Sequence, residues 1–122
     1  MEVFVLEIFM LPREYKLKKD NDFKKVFEKG KFYRNDFIKI RFLKNDLEIT
    51  RFGIIISSKI SKKAVCRNRI RRRLEETIRL RLDQIKSGFD IVVLFGPEVV
   101  DKNYKQIEET FVSLVEKAKL IN

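Results

Sequence analysis

Residues 59–82 hold ten cations, Lys59, Lys62, Lys63, Arg67, Arg69, Arg71, Arg72, Arg73, Arg79 and Arg81, against only Glu75 and Glu76, so this stretch carries +8 of a chain total of +10. A row of guanidinium groups suits phosphate oxygens, because each is planar, keeps its charge and offers a bidentate fork. The pairs Arg67/Arg71 and Arg69/Arg73 stand four apart, where like charges on a helix repel by roughly a few tenths of a kcal/mol each. A merely solvated face mixes its signs; this one does not, and a polyanion offsets the repulsion. Nucleic-acid binding is therefore the expectation.

Catalytic chemistry has few candidates. The chain has no histidine and one cysteine, which removes the commonest general base, an ordinary zinc site and an internal disulfide. Cys66 falls on an apolar stripe and reads as a small buried hydrophobe rather than a nucleophile. The pairs Glu75-Glu76 and Glu108-Glu109 could serve a metal-dependent nuclease, but they sit on surface helices without histidine support. We expect no catalytic residues and no metal site in this chain. A second cation set is smaller: in 37–43, Phe37, Lys39 and Arg41 alternate with Ile38, Ile40 and Phe42. An aromatic between two cations on one sheet face could stack bases and meet phosphates of a single strand, or could be a solvent face with one covered ring.

Elements must hold these groups in place. Cys66, Ile70, Leu74 and Ile78 recur every four residues with Thr77 beside them, giving a helix with one buried stripe. Asn68, Arg69, Arg72 and Arg79 then face away from it, and Arg67, Arg71 and Arg73 flank it. Ser61 is a plausible cap. Upstream, Lys18 and Lys19 precede a short helix over 21–29, with Asp20 as N-cap, Gly30 at the C′ position and Phe23, Val26 and Phe27 on one face. Asn45-Asp46 marks a hairpin turn, after which 49–57 returns as a strand whose Ile54-Ile55-Ile56 run implies a central place buried on both faces. Gly53 marks a bulge or a close backbone approach. A further buried strand spans 89–95 and stops at Gly96-Pro97. Asp101 caps a last helix whose stripe is Tyr104, Ile107, Phe111, Leu114, Val115, Ala118 and Ile121, with Tyr104 able to reach an edge.

With 122 residues, 44% apolar and 11 Phe, the chain is expected to be one α/β (α+β) domain over residues 11–122, in the order helix, strand, strand, helix, strand, helix, with a layer of helices on a mixed sheet. Residues 1–10 form an N-terminal extension, apolar but carrying Glu2 and Glu7. It is too short to span a bilayer and lacks the basic start of a signal peptide. Two readings of it stay open: an edge strand, or a translation start placed too far upstream of Met10. A cytoplasmic protein without a membrane is expected.

The run Lys59-Ile60…Ala64-Val65-Cys66-Arg67-Asn68-Arg69-Ile70-Arg71-Arg72 resembles the RNR-motif helix of the protein subunit of bacterial ribonuclease P. Residues 17–30, LKKDNDFKKVFEKG, resemble that family's opening helix. Arg51-Phe52-Gly53-Ile54 and Phe89-Asp90-Ile91-Val92-Val93 match the strands on either side of the motif. The resemblance implies about four strands with three helices, in the order α-β-β-α-β-α plus a short strand, with a left-handed crossover as in a ribosomal-protein domain. Right-handed crossovers are the general rule. It also implies a protein that binds the catalytic RNA of ribonuclease P and the 5′ leader of precursor tRNA, while RNA and Mg²⁺ perform the hydrolysis.

By that resemblance Lys59, Lys62, Lys63, Arg67, Asn68, Arg69, Arg71, Arg72 and Arg73 would contact the RNA subunit. Lys18, Lys19, Phe23, Phe27, Phe37, Lys39 and Arg41 would line the leader cleft, with a phosphate contact rather than a stacked base at Arg41. Mg²⁺ would be needed by the holoenzyme and bound mainly through RNA, and no obligate protein partner is implied. The alternative from residues alone is a ribosomal or RNA-chaperone-type RNA-binding protein.

Overall fold

The computed structural model describes residues 11–122. Both readings of the N-terminal extension lie outside them. Four strands make one mixed sheet: β1 (Lys31–Asn35), β2 (Ile38–Lys44), β3 (Arg51–Ile55) and β4 (Phe89–Phe95), in spatial order β1-β2-β4-β3. Three helices pack on it: α1 (Asp20–Lys29), α2 (Ala64–Arg79) and α3 (Tyr104–Lys117). The expected α/β (α+β) domain with four strands and three helices is what forms, and the short strand is β1.

The helices divide between the two faces of the sheet. Ile38, Ile40 and Phe42 of β2, Phe52 of β3 and Ile91, Val93 and Phe95 of β4 form one core with the stripes of α2 and α3. The alternate residues Val92, Leu43, Ile55 and Leu94 meet Leu17, Phe23 and Val26 of the α1 side. This split follows from the period of two in a strand. The α2 stripe Cys66, Ile70, Leu74, Thr77 and Ile78 is buried as its spacing requires. So are Ile107, Phe111, Leu114 and Val115 of α3 and Ala118 just past its end.

The hairpin expected at Asn45-Asp46 does not exist. β2 and β3 are not neighbours, because β4 lies between them, antiparallel to β2 from Ile38↔Phe95 to Lys44↔Phe89 and parallel to β3 from Arg51↔Asp90 to Ile55↔Leu94. FDIVVLF is apolar on both faces, so it takes the central place and both its edges are paired. β3 is consequently an edge strand, with Ile54 and Ile55 half-buried, and the central place expected for its isoleucine run is not taken. The free edge of β3 is partly covered by a parallel bridge between Lys16 and Phe52, and Leu17 donates its N–H to the Phe52 carbonyl at 2.8 Å.

Four expected caps also differ. α1 has Lys19 at its N-cap without a side-chain bond, and Asp20 and Asp22 lie inside the first turn, where carboxylates favour the helix dipole. Gly30 is not left-handed (φ −75°); it is required because a Cβ there would stand 2.4 Å from the Val26 carbonyl oxygen. Ser61 precedes α2 by too much to cap it: Lys63 is the N-cap, and the Ser61 hydroxyl accepts only the Lys63 N–H, at 3.3 Å. Asp101 ends a 3₁₀ turn, Pro97–Asp101, and Asn103 caps α3 in a capping box with Gln106, both bonds being 2.9 Å. Tyr104 is half-buried with its hydroxyl 3.4 Å from Glu108 Oε2, and burial raises its pKa.

Candidate nucleic-acid interface

The cations of α2 and its approach fall into two groups. Arg67 Nη1 donates to the Ser61 carbonyl (2.8 Å), Arg71 Nη1 to the Ile54 carbonyl (3.0 Å) and Arg73 Nη1 to the Lys102 carbonyl (2.7 Å). These half-buried side chains tie the helix to the loop before it, to the end of β3 and to the turn before α3. Arg79 pairs with Glu76 at 2.8 Å and Arg81 with Glu108 at 3.0 Å. The outward group is narrower: Lys59, Lys62, Lys63, Asn68, Arg69 and Arg72 are exposed. Arg69 has only a weak contact to Cys66 Sγ at 3.7 Å, and Arg72 has no partner among the described residues. Their charge is available to a ligand.

A second surface lies on the opposite side of the sheet, where α1 crosses it. Phe23 rests on β3: a Cβ on Gly53 would stand 2.4 Å from its ring, so the glycine serves close approach and not a bulge. One turn later Phe27, 38% exposed, sits above the β1–β2 end. Arg41 projects from β2 on this face, with its guanidinium carbon 6.0 Å from the Phe27 ring centre and 5.1 Å from that of Phe32, and Nη1 reaches the Phe27 carbonyl at 3.4 Å. Phe32 is paired opposite Arg41 and Arg34 opposite Lys39, so all four share the face. Lys18 and Lys19 are exposed just before α1. The result is a groove of interleaved rings and cations.

Phe37 is not in it. It lies in the two-residue turn between β1 and β2, after Asp36 at φ 48°, and the turn breaks the alternation that would have aligned it with Lys39 and Arg41. Its side chain is buried in the α2/α3 core, with Lys102 Nζ 5.5 Å from the ring centre. Phe32 and Arg34 take the aromatic and cationic places instead. Sequence reasoning missed them because β1 is short and mostly exposed; the signal was the alternation Phe32-x-Arg34 directly after Gly30.

Charge also fixes α1 on the sheet. Arg51 of β3 donates Nε to Asp90 Oδ1 (2.9 Å) and Nη2 to Asp90 Oδ2 (2.8 Å), and its Nη1 lies 3.5 Å from Asp22 of α1. Asn45 Nδ2 donates to the same Asp90 carboxylate at 2.9 Å. The Arg51 pKa is raised chiefly by the hydrogen bonds to Asp90, against the lowering effect of burial. Among the described residues, no group of three or more acidic or cysteine side chains is placed to hold a metal ion, and no helix is long and apolar enough to cross a membrane.

Fold and surfaces together define a basic α/β protein with two cation-rich faces suited to nucleic acid. The chain belongs to the ribonuclease P protein family, whose model matches residues 11–119. The ribonuclease P protein component of Clostridioides difficile is 40% identical over 105 residues, which cover 85% of this chain and 91% of that one. That of Clostridium botulinum is 37% identical over 111 residues, covering 90% and 99%. Among solved structures, the Staphylococcus aureus RNase P protein superimposes with a TM-score of 0.82 at 28% identity, covering 88% of this chain and 98% of that one. The Thermotoga maritima RNase P protein gives 0.77 at 28%, covering 84% and 96%. As a member, this chain is a subunit of an endoribonuclease that works with an RNA partner. That supersedes the ribosomal or chaperone alternative.

Proposed function

We propose that this protein binds the catalytic RNA of ribonuclease P through the outward face of α2 and holds the single-stranded 5′ leader of precursor tRNA in the groove between α1 and the sheet. Removal of the leader then gives the mature tRNA 5′ end. The observation that carries the reading is the groove's composition: Phe27 and Phe32 flank Arg41 at 6.0 and 5.1 Å, with exposed Arg34 and Lys39 beside them. Rings accept any base by stacking and cations track the phosphates, which suits leaders of varied sequence. Lys59, Lys62, Lys63, Arg69 and Arg72 would neutralise phosphates of the RNA subunit, with the Asn68 amide donating a hydrogen bond beside them, while Arg67, Arg71 and Arg73 position the helix that carries them.

In this reading hydrolysis belongs to the RNA, with Mg²⁺ held mainly by RNA phosphates. The buried and half-buried carboxylates among the described residues are paired: Glu75 with Lys16, Glu76 with Arg79, Asp22 and Asp90 with Arg51, and Glu108 with Arg81. A cytoplasmic location and no obligate protein partner go with that role. Reconstitution with a bacterial ribonuclease P RNA at low Mg²⁺ tests the proposal. Added protein is expected to restore leader cleavage that the RNA alone performs poorly, and folded protein without effect would overturn it. Cleavage of precursor tRNA by the protein alone would revive the nuclease reading.

A further inference from the structure

Edge strand β1 presents a ring and a cation to each face of the sheet. Phe32 and Arg34 belong to the α1-side groove; Lys31 and Tyr33 point the other way, paired opposite Phe42 and Ile40 of the α2/α3 core. On that second face a pocket of about 580 Å³ opens between the end of α1, the β1 edge and the end of α3. Its volume lies within the range of roughly 300–1,000 Å³ usual for small-molecule sites.

The floor is aromatic. Tyr33 stacks on Phe42 with ring centres 5.8 Å apart and planes 25° apart, and Phe89 meets the other side of Phe42 edge-on at 5.9 Å. Phe42 is buried, so Tyr33 and Phe89, both half-buried, are the rings a ligand can reach. The rim is cationic: Lys29, Lys31, Lys44 and Lys119 line the pocket, all are exposed, and no acidic residue lines it. Among the described residues none of these lysines forms an ion pair. Two helix C-termini end nearby, each worth about half a negative charge, so four ammonium groups outweigh them several-fold. The α3 end is moreover closed by its own backbone: Lys119, at φ 60°, donates to the Glu116 carbonyl and Leu120 to that of Val115. The local field is therefore positive.

We infer that this pocket binds a nucleotide unit, its base laid against the accessible ring of Tyr33, which Phe42 backs, and its phosphates met by Lys29, Lys31, Lys44 and Lys119. The site is separate from both surfaces of the proposed function and does not depend on that reading. The nucleotide has two possible sources, a free nucleoside polyphosphate or a residue of an RNA chain.

Backbone amide NMR of the full-length protein distinguishes them. ATP is expected to shift residues 29–33, 42–44 and 118–120, with adenosine and inorganic triphosphate each at least about tenfold weaker, because each lacks one half of the contact. A pentauridylate added to the Phe27→Ala/Phe32→Ala variant, whose groove is blunted, reports the second source. Shifts in the pocket with either ligand support the site and name its source. Shifts confined to α2 and the groove with both would overturn it. The Lys31→Ala/Lys119→Ala variant, checked for an unchanged melting temperature, is expected to lose about tenfold or more in affinity for whichever ligand binds. Undiminished binding by that folded variant would equally sink the inference.

Discussion

The outward face of α2 and the α1-side groove are built in opposite ways. One is a single helix whose cations lie within a few turns of one another, so its function depends on one element being docked. The other is assembled from Phe27 of α1, Phe32 and Arg34 of β1, and Lys39 and Arg41 of β2, none of which meet without the sheet. The helix face carries charge with no exposed ring; the groove interleaves rings and charge. A structured RNA partner is met mainly through phosphates, whereas a single strand also offers unstacked bases. Damage to the sheet should therefore strike the groove first and leave the helix face comparatively intact.

The largest effect expected is on the scaffold of the groove. Phe37→Ala removes a buried ring from the β1–β2 turn and should cost about 3–4 kcal/mol in stability by urea unfolding. Below its unfolding transition the variant should still distinguish precursor from mature tRNA, because Phe37 does not face the groove. Lost discrimination by a folded Phe37→Ala protein would restore Phe37 to the leader site.

Asp90→Ala comes next. It strips Arg51 of its bidentate partner and Asn45 of its acceptor, and breaking such a pair costs roughly 3–5 kcal/mol when fully buried. The Arg51 side chain keeps 23% of its exposure, so about 3 kcal/mol or somewhat less is expected. Through Asp22 the same break loosens α1, so affinity for precursor tRNA should fall more than affinity for the RNA subunit. An equal fall in both would mean the two surfaces are not separately held.

Where those dependences run along the chain decides what could be read from sequence. The α2 stripe and the FDIVVLF strand are local patterns that form where the sequence says; the α3 stripe holds through Val115, but the helix ends at Lys117 and Ile121, expected on that stripe, pairs instead with Ile85 in a β-bridge. The pairing of β2 with β4 joins residues about fifty positions apart, and nothing near Asn45-Asp46 announces that another strand will enter between its neighbours. Phe37 shows the same limit at smaller scale: alternation put it beside Lys39, and one turn residue at positive φ rotated it into the core. Of the α2 arginines, helical phase separated the outward Arg69 and Arg72 from the flanking Arg67, Arg71 and Arg73, but it also turned Arg79 outward, where the side chain is half-buried and paired with Glu76. It could not show that the flanking three reach main-chain carbonyls of other elements.

Phe32→Ala is a middle-sized test of the groove. It removes one ring from beside Arg41 without opening the core, since Phe32 is 46% exposed. Binding of precursor tRNA by the holoenzyme should weaken by about 1–3 kcal/mol, the value of one stacked base, with mature tRNA binding unchanged. Equal loss on both substrates would take Phe32 out of the leader path.

The smallest effects separate the two kinds of arginine on α2, and they should cross. Arg71→Ala gives up a hydrogen bond to the Ile54 carbonyl and should lower stability by about 1 kcal/mol, with the salt dependence of RNA binding little changed. Arg69→Ala should leave stability within about 0.5 kcal/mol, because its side chain is exposed. It should reduce the slope of log affinity against log salt by roughly 0.7–0.9, the counterion release of one phosphate contact. Titration of both variants against the RNA subunit at several salt concentrations reads the difference. If Arg71→Ala flattens the slope as much as Arg69→Ala does, its guanidinium serves phosphate and carbonyl together. The division of the helix into anchoring and docking arginines would then give way to a single face that does both.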